Sequence, residues 1–501
     1  MENDSLKTTY VKNLNKQTFS TIITVPIDSN VDIKNIINTE SYLFDAKVEC
    51  ASGKAIVNGK IGIKVLYMDT DGILNSINET QNFTETFVDS SITTDCFINL
   101  CQCNIVSTVV STVGALKVNC EISCDAVLYV NLPLPNNASN YENMIVKKST
   151  FQTTCVSNVV NDSFEYTVNF ETKNTISKIL SYCSQFVLDS VTANEDYVLV
   201  EGKLFSKLLY ETTKEEETEI NEIYETNTVK TELPIAGLTK DDMLDLSFNL
   251  DYNQENISTE IMEDSTEITI THKIVATGVV LKPISIDVVD DMYSVDNEIS
   301  LSYTERTFNK TATCSHAEDT ISGEIALEDD EPIIDEICSN TSPKVEVTNS
   351  YIKDDALVVE GVVSSTIIYV DENKEIKSKS CELPFVINTK QSMEQNATYH
   401  VTARIADTKF KVKRGTVVEL EYSIKILVCT HNQSSVQMID SFTLGKATDY
   451  SNYDYQIFVA KQGETRWDLC KRIKISPDAL EETNKDLPLV LQGGEKVIIK
   501  R

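Results

Sequence analysis

The sequence has few of the residues that enzymes use most often for catalysis. It contains four histidines among 501 residues, and none of them lies in an HExxH motif. It has no Gly-x-Ser-x-Gly elbow, no Walker loop and no carboxylate pair that would suit a wall hydrolase. His272 and His400 lie in alternating, strand-like patterns, so we expect them to be ordinary strand residues. These absences predict a protein that is not an enzyme and that binds neither a cofactor nor a metal.

Positive charge is also scarce. The chain has 44 Lys and Arg residues against 77 Asp and Glu residues, and its formal net charge is -33. Binding to nucleic acid or to an anionic membrane surface needs clustered basic residues, so this balance argues against both kinds of partner. A field this negative disfavours self-association and favours a partner with a basic face.

Long apolar segments are absent too. No stretch of eighteen apolar residues occurs, and residues 1–19 are polar and lack the apolar centre of a signal peptide. We therefore expect a protein that is neither exported nor inserted into a membrane and that resides in the cytoplasm. In such a chain the 13 cysteines are expected to be reduced and to act as small buried hydrophobic residues.

What the sequence does contain is a pattern that occurs three times. The segments 55–69, 199–211 and 358–372 each carry a glycine that is followed eight residues later by a tyrosine. These pairs are Gly59 with Tyr67, Gly202 with Tyr210, and Gly361 with Tyr369. Apolar residues alternate around them, which is typical of a strand buried on one face. The repeats predict three copies of one β-rich module.

A short apolar pattern with helical spacing precedes each of these glycines. It begins at Ile33, Ile176 and Ile334, which lie 26 or 27 residues before the glycine, and it predicts a short helix in each copy. Elsewhere Thr, Val and Ile are frequent, whereas only 15 Gly and 10 Pro occur, and this composition favours strands. The predicted fold is mainly β, with three tandem β-rich repeat modules that include short helices.

The domain boundaries follow from the repeats and from the distribution of charge. We predict joins at 132–140, near 282–297 and near 446–452. These joins give three repeat modules at 1–135, 141–285 and 298–445 and a C-terminal domain at 453–501. Residues 450–501 carry nine Lys and Arg against eight Asp and Glu, so the acidic excess lies almost entirely in the repeats. The C-terminal segment also contains Trp467, the only tryptophan.

The C-terminal segment resembles a LysM domain, a small α+β module with the order βααβ. Residues 455–459 alternate as its first strand, and Gly463-Glu464-Thr465 matches the family's Gly-Asp/Glu-Thr turn, in which Thr465 caps the first helix. Ser476 and Pro477 fit the start of the second helix, and residues 497–499 fit the closing strand. The resemblance therefore implies a LysM fold for this domain.

LysM domains bind N-acetylglucosamine-containing glycans in a groove between two loops, and the resemblance places this groove at 463–466 and 489–493. The site residues that it implies, for a glycan or for a protein partner, are Tyr455, Gly463, Glu464, Thr465, Arg466, Trp467, Leu489, Leu491, Gln492 and Gly493. Two of them depart from the family's pattern, because Arg466 replaces a usual Leu and Gly493 replaces a usual Pro. Trp467 falls on the inner face of the first helix, where we expect it to pack first and bind second.

The repeats resemble a β-rich domain of clostridial sporulation proteins. Three such modules followed by one LysM domain resemble the architecture of a family of clostridial spore-coat morphogenetic proteins. Members of that family are made in the mother cell, sit at the outer surface of the forespore and bind the ATPase of the coat's basement layer. The resemblance implies a non-enzymatic adaptor or scaffold whose LysM domain tethers this spore-coat ATPase. The alternative is a protein that binds the glycan of peptidoglycan, against which the missing export signal argues.

Overall fold

The chain folds mainly into β-strands. The computed structural model describes residues 7–14, 17–25, 33–111, 116–133, 144–173, 175–214, 217–251, 257–261, 265–328, 330–394, 397–448 and 455–500. These residues form 22 strands and two helices, so the prediction of a mainly β protein is confirmed. The ladders join strands within three consecutive sets, which we call units 1, 2 and 3, and within a small C-terminal domain.

The elements follow one another in chain order. Unit 1 contains β1 (Lys7–Asn13), β2 (Gln17–Val25), β3 (Ile33–Ala51), β4 (Lys54–Asp69), β5 (Leu74–Val88), β6 (Phe97–Ser111) and β7 (Leu116–Pro133). Unit 2 contains β8 (Met144–Thr172), β9 (Ile176–Ala193), β10 (Tyr197–Lys214), β11 (Glu217–Pro234), β12 (Met243–Asp251), β13 (Ile257–Ile261) and β14 (Thr266–Ser294). Unit 3 contains β15 (Asn297–Ala326), β16 (Ile334–Lys353), β17 (Ala356–Asp371), β18 (Ile376–Ser392), β19 (Thr398–Lys413) and β20 (Val417–Ala447). The C-terminal domain contains β21 (Tyr455–Val459), α1 (Arg466–Ile473), α2 (Pro477–Thr483) and β22 (Lys496–Lys500).

Each unit is built from two antiparallel sheets. One sheet has three strands in chain order, namely β3-β4-β5, β9-β10-β11 or β16-β17-β18. The other is built on a long strand, β7, β14 or β20, which pairs with strands from both ends of its unit. The two sheets share an apolar core, so that in unit 1 Val65 of β4 and Ile122 of β7 lie in one buried cluster.

The repeated glycine and tyrosine lie on the central strand of each three-stranded sheet. A Cβ atom at Gly59 would lie 2.5 Å from the ring of Phe83, and one at Gly361 would lie 2.5 Å from the ring of Phe385. The missing side chain therefore leaves room for a phenylalanine of the neighbouring strand to lie across the central strand. Unit 2 has the same arrangement with a phenylalanine from β9.

The short helices predicted before each glycine are wrong, because these segments are the strands β3, β9 and β16. Each strand carries two bulges near its start, which in β3 fall between Ile33 and Asn35 and between Ile36 and Asn38. A bulge adds one residue and changes the alternation of faces. Ile36 consequently packs on the core of unit 1, whereas its neighbour Ile37 packs in a separate cluster with residues of units 2 and 3. The resulting apolar spacing imitates that of a helix.

The break between units 2 and 3 lies within the join predicted near 282–297. Strand β14 continues to Ser294, and β15 begins at Asn297. Pro283 lies inside β14 at a point where β8 is its partner, since the pairing with β12 stops at Leu281. A proline is tolerated where one side of a strand is unpaired. Most of the joins predicted at 132–140 and 446–452 falls outside the described residues, so these boundaries stay predictions.

The C-terminal domain has the order strand, helix, helix, strand. The Thr465 side chain accepts a hydrogen bond from the Asp468 N–H, and the Asp468 side chain accepts one from the Thr465 N–H, which forms a capping box at α1. Ser476 caps α2, and Pro477 follows at the first helical position. Both caps lie where the sequence predicts them.

The expectation that all cysteines are reduced is wrong. Cys314 and Cys429 form a disulfide between the paired strands β15 and β20, and Cys124 is disulfide-bonded as well. Direct neighbours on antiparallel strands lie close enough for such a bond. Of the free cysteines, Cys120 and Cys470 are buried, and burial raises the pKa of each to about 11. These two behave as the small hydrophobic residues that the sequence predicts.

Candidate functional sites

The two predicted groove segments of the C-terminal domain lie side by side. The N–H of Gly463 donates to the Leu491 carbonyl at 2.9 Å, and the N–H of Leu491 donates to the Glu464 carbonyl at 2.9 Å. The N–H of Arg466 donates to the Leu489 carbonyl at 3.1 Å. The structure therefore brings the two segments together and joins them by backbone hydrogen bonds. A ligand would contact the side chains on their outer surface.

The polar side chains of the first segment are engaged within the domain. Glu464 is buried and accepts hydrogen bonds from Nε and Nη2 of Arg472 at 2.6 and 2.9 Å. This guanidinium lowers the pKa of the Glu464 carboxyl below its usual value. Arg466 forms an ion pair of 3.1 Å with Glu481. Thr465 is the helix cap, so each of these side chains already has a structural partner.

The second segment has one buried and several exposed residues. Leu491 lies in the core of the domain, whereas Leu489 is 76% exposed. The N–H groups of Gln492 and Gly493 donate to the Glu495 carboxylate at 2.7 and 2.8 Å. Gly493 has φ 95°, a value that a proline cannot adopt.

Trp467 contacts unit 2. Its Nε1 donates a hydrogen bond of 2.8 Å to Oδ2 of Asp291, whose Oδ1 also accepts one of 2.6 Å from Lys471. Its ring packs edge to face on Tyr293, with 5.1 Å between the ring centroids. The Tyr293 hydroxyl in turn donates to the Ile475 carbonyl at 2.5 Å, inside the core of the C-terminal domain. Neither Asp291 nor Tyr293 carries a sequence signal for this contact.

A second surface of the C-terminal domain is apolar and exposed. Tyr455, Ile457 and Val459 alternate on β21 and are 58 to 66% exposed, and Ile498, which pairs with Ile457, is 45% exposed. We call these four residues the outer face. The LysM resemblance implies a site role for Tyr455 and only a strand position for the other residues of β21. An exposed cluster of large apolar side chains commonly marks an interaction surface.

The three units meet at a buried junction to which they contribute equivalent residues. The ladders pair Asn99 with Val127 in unit 1, Asp245 with Val279 in unit 2, and His400 with Cys429 in unit 3. On each long strand, the residue two positions after this pair is Tyr129 in unit 1, Leu281 in unit 2 and His431 in unit 3. A buried cluster at this junction unites Val127 and Tyr129 of unit 1 with Val279 and Leu281 of unit 2 and Ala312 of unit 3.

The centre of this junction is polar. Nε2 of His400 lies 3.3 Å from Oδ1 of Asp245, and Nε2 of His431 lies 3.0 Å from Oδ2. The Tyr129 hydroxyl donates to the same carboxylate, and Asn99 Nδ2 lies 3.5 Å from Oδ1. Burial alone would raise the pKa of Asp245, but the adjacent histidines outweigh it and hold the pKa well below its usual value. All three units therefore converge on one carboxylate.

A cavity of about 970 Å³ is also lined by residues from the three units. It contains Lys64 of unit 1, which is 8% exposed, and Lys344 of unit 3, and burial lowers the pKa of both amines. Lys207 of unit 2 lies there 3.3 Å from Glu222. Acidic and basic side chains are mixed along the walls, so the lining does not favour a ligand of one charge.

The fold and these surfaces define a class of protein: a chain of β-sandwich units that meet at a common centre and hold a small α+β domain at the C-terminus. Residues 32–122 and 175–262 match the family model described as SipL, SPOCS domain. The match, with one segment in unit 1 and one in unit 2, supports a SipL-like sporulation protein. No curated protein and no solved structure matches it. None of the helices in the described part of the chain has the length and apolar character needed to cross a membrane.

Proposed function

We propose that the chain is a non-enzymatic adaptor in spore-coat assembly, which tethers the ATPase of the coat's basement layer to the forespore surface in the cytoplasm of the mother cell. The SPOCS match supports the sporulation context. The resemblance of residues 455–500 to a LysM domain supports the role of this domain as the tether.

The observation that carries the proposal is the outer face of the C-terminal domain. The side of the domain that holds Trp467 is occupied by Asp291 and Tyr293 of unit 2. The outer face exposes Tyr455, Ile457 and Val459, in the part of the chain with the least acidic excess. Tyrosine is enriched among the residues that dominate binding energy at protein interfaces, and the core of an interface is more apolar than the rest of the surface. The acidic units around it favour a partner with a basic face.

Affinity purification from sporulating cells tests this proposal. The full chain is compared with the variant Ile457→Asp, which places a charge in the outer face, and with Val386→Asp, which changes an equally exposed residue of unit 3; both side chains are 66% exposed. The proposal predicts that the coat ATPase is recovered with the unchanged chain and with Val386→Asp and is lost with Ile457→Asp. Equal recovery with all three would contradict it. Sedimentation of the purified chain with sacculi would instead support the peptidoglycan alternative.

A further inference from the structure

A cluster of potential metal ligands occupies the junction of the units. Asp245 comes from β12 of unit 2, His400 comes from β19 of unit 3, and His431 and Cys429 come from β20 of unit 3. The ligand atoms of Asp245, His400 and Cys429 all lie within 4.8 Å of one another. His431 adds a second imidazole whose Nε2 lies 3.0 Å from the same carboxylate.

These side chains are buried, and both histidines approach the Asp245 carboxylate. Asp245 and His431 are 0% exposed, Cys429 is 1% exposed and His400 is 8% exposed. Nδ1 of His431 has no hydrogen-bond partner among the described residues, so the polar contacts of this buried ring are all at Nε2, toward Asp245 and Tyr129. A buried carboxylate beside two imidazoles lacks a permanent positive partner, and a divalent cation would supply one.

The chemistry of the donors selects the class of metal. Two imidazole nitrogens, a carboxylate oxygen and a thiolate form a mixed set of the kind that binds Zn²⁺ with four-coordinate geometry, at bond lengths of about 2.0 to 2.3 Å. Ca²⁺ and Mg²⁺ require more oxygen ligands than these side chains provide. Tyr129 lies next to the set and donates to the carboxylate, as the outer partners of metal ligands commonly do.

We propose that the junction of the units is a binding site for one Zn²⁺-type ion, held by Asp245, His400, His431 and Cys429. The Cys314–Cys429 disulfide occupies the thiol in the described form. A thiol or phosphine reductant supplies two electrons, and with two protons the disulfide becomes two thiols. The Cys429 thiol then loses its proton to solvent as its sulfur binds the ion. The bound ion joins unit 2 to unit 3, since its ligands come from both.

Two serine variants test the site in the full, tag-free chain. Both Cys314→Ser and Cys429→Ser remove the disulfide, but only Cys429→Ser removes a proposed ligand. Titration with Co²⁺ alone, in the absence of reductant, is expected to give one equivalent of binding to Cys314→Ser. The visible absorption of tetrahedral Co²⁺ and a charge-transfer band from the thiolate to Co²⁺ should appear together. Cys429→Ser is expected to lack the charge-transfer band and to bind at least about 10-fold more weakly. Absence of both signals from Cys314→Ser, or equal signals from the two variants, would overturn the proposal.

The histidine ligands are tested in the Cys314→Ser background. His431→Gln keeps much of the shape of the side chain and is expected to weaken Co²⁺ binding at least about 10-fold. The control is His272→Gln, because His272 is buried in unit 2 beside Ser184 and away from the cluster. Zn²⁺ should raise the Tm of Cys314→Ser and of its His272→Gln derivative but not that of the His431→Gln derivative. Unchanged affinity in His431→Gln would count against the site even if the cysteine variants behaved as expected.

Discussion

The indole Nε1 of Trp467 donates a hydrogen bond of 2.8 Å to Oδ2 of Asp291, a residue near the end of the long strand β14 of unit 2. The only tryptophan of the chain is therefore part of the contact that holds the C-terminal domain against the units. Tyr293, two residues further along β14, is buried in the same contact. One consequence is that a change at Trp467 alters the placement of the domain as well as any surface that the domain presents.

Loss of the Asp291 carboxylate should weaken this contact. Asp291→Ala leaves Trp467 Nε1 and Lys471 Nζ without their acceptor, and we expect it to lower the free energy of unfolding of the C-terminal domain by about 1 to 3 kcal/mol. The emission of Trp467 during urea unfolding measures this directly. Asp290→Ala is the control, since Asp290 bonds to the exposed Ser149 instead. An equal loss of unfolding free energy in both variants would show that the hydrogen bond between Asp291 and Trp467 does not stabilise the C-terminal domain.

Acid should destabilise the C-terminal domain through Glu464. In the folded state the Arg472 guanidinium holds the pKa of this carboxyl below its ordinary value of 4.5. A group with a depressed folded pKa contributes stability that is fully present above the ordinary pKa and is lost as the pH falls through the folded value. The urea midpoint reported by Trp467 should therefore fall as the pH is lowered below about 4.5.

Glu464→Gln isolates this contribution. The variant keeps the size of the side chain but cannot form the ion pair, so its urea midpoint should be lower near neutral pH. It should also depend less on pH below about 4.5. A variant that lost stability equally at every pH would indicate that packing, rather than ionisation of Glu464, is responsible.

Gly59 should tolerate no side chain unless Phe83 is also changed. Gly59→Ala places a methyl group against the ring of Phe83, and we expect it to destabilise unit 1 by about 1 to 3 kcal/mol. The added variant Phe83→Leu removes the ring atoms that the methyl group would meet, so the double variant should recover part of the loss. Chemical unfolding of the four proteins in this cycle measures the coupling. Additive losses would mean that the ring is not the obstacle.

The sequence predicts the regular parts of the fold and misreads the irregular ones. Alternation from Ala55 to Ile61 identifies a strand, because a strand buried on one face must alternate. Beyond Ile61 the same strand is buried on both faces as far as Met68, which the alternation does not predict. The segment that begins at Ile33 has the apolar spacing of a helix because two bulges interrupt the alternation of its strand. Bulges are set by how the strands pair and twist, which depends on residues far away in the chain.

A candidate site can be predicted from the sequence when its residues are neighbours in the chain, and not when strand pairing brings them together from distant segments. The loops at 463–466 and 489–493 belong to a local motif and lie side by side, and their role in binding stays a prediction. Asp245 and His400 lie on strands of different units, and neither carries a local motif, so the sequence predicts His400 only as an ordinary strand residue. The Cys314–Cys429 disulfide spans 115 residues and likewise depends on the pairing of two long strands.

The most direct test of the proposed function is the Kd of the purified full chain for the coat ATPase. The measurement is made on the unchanged chain, on Ile457→Asp and on Val386→Asp, whose altered side chains are equally exposed. If the outer face is the tether, Ile457→Asp should raise the Kd at least about 10-fold, which corresponds to about 1.4 kcal/mol, and Val386→Asp should leave it unchanged. The same Kd for all three proteins, or no binding by the unchanged chain, would contradict the account.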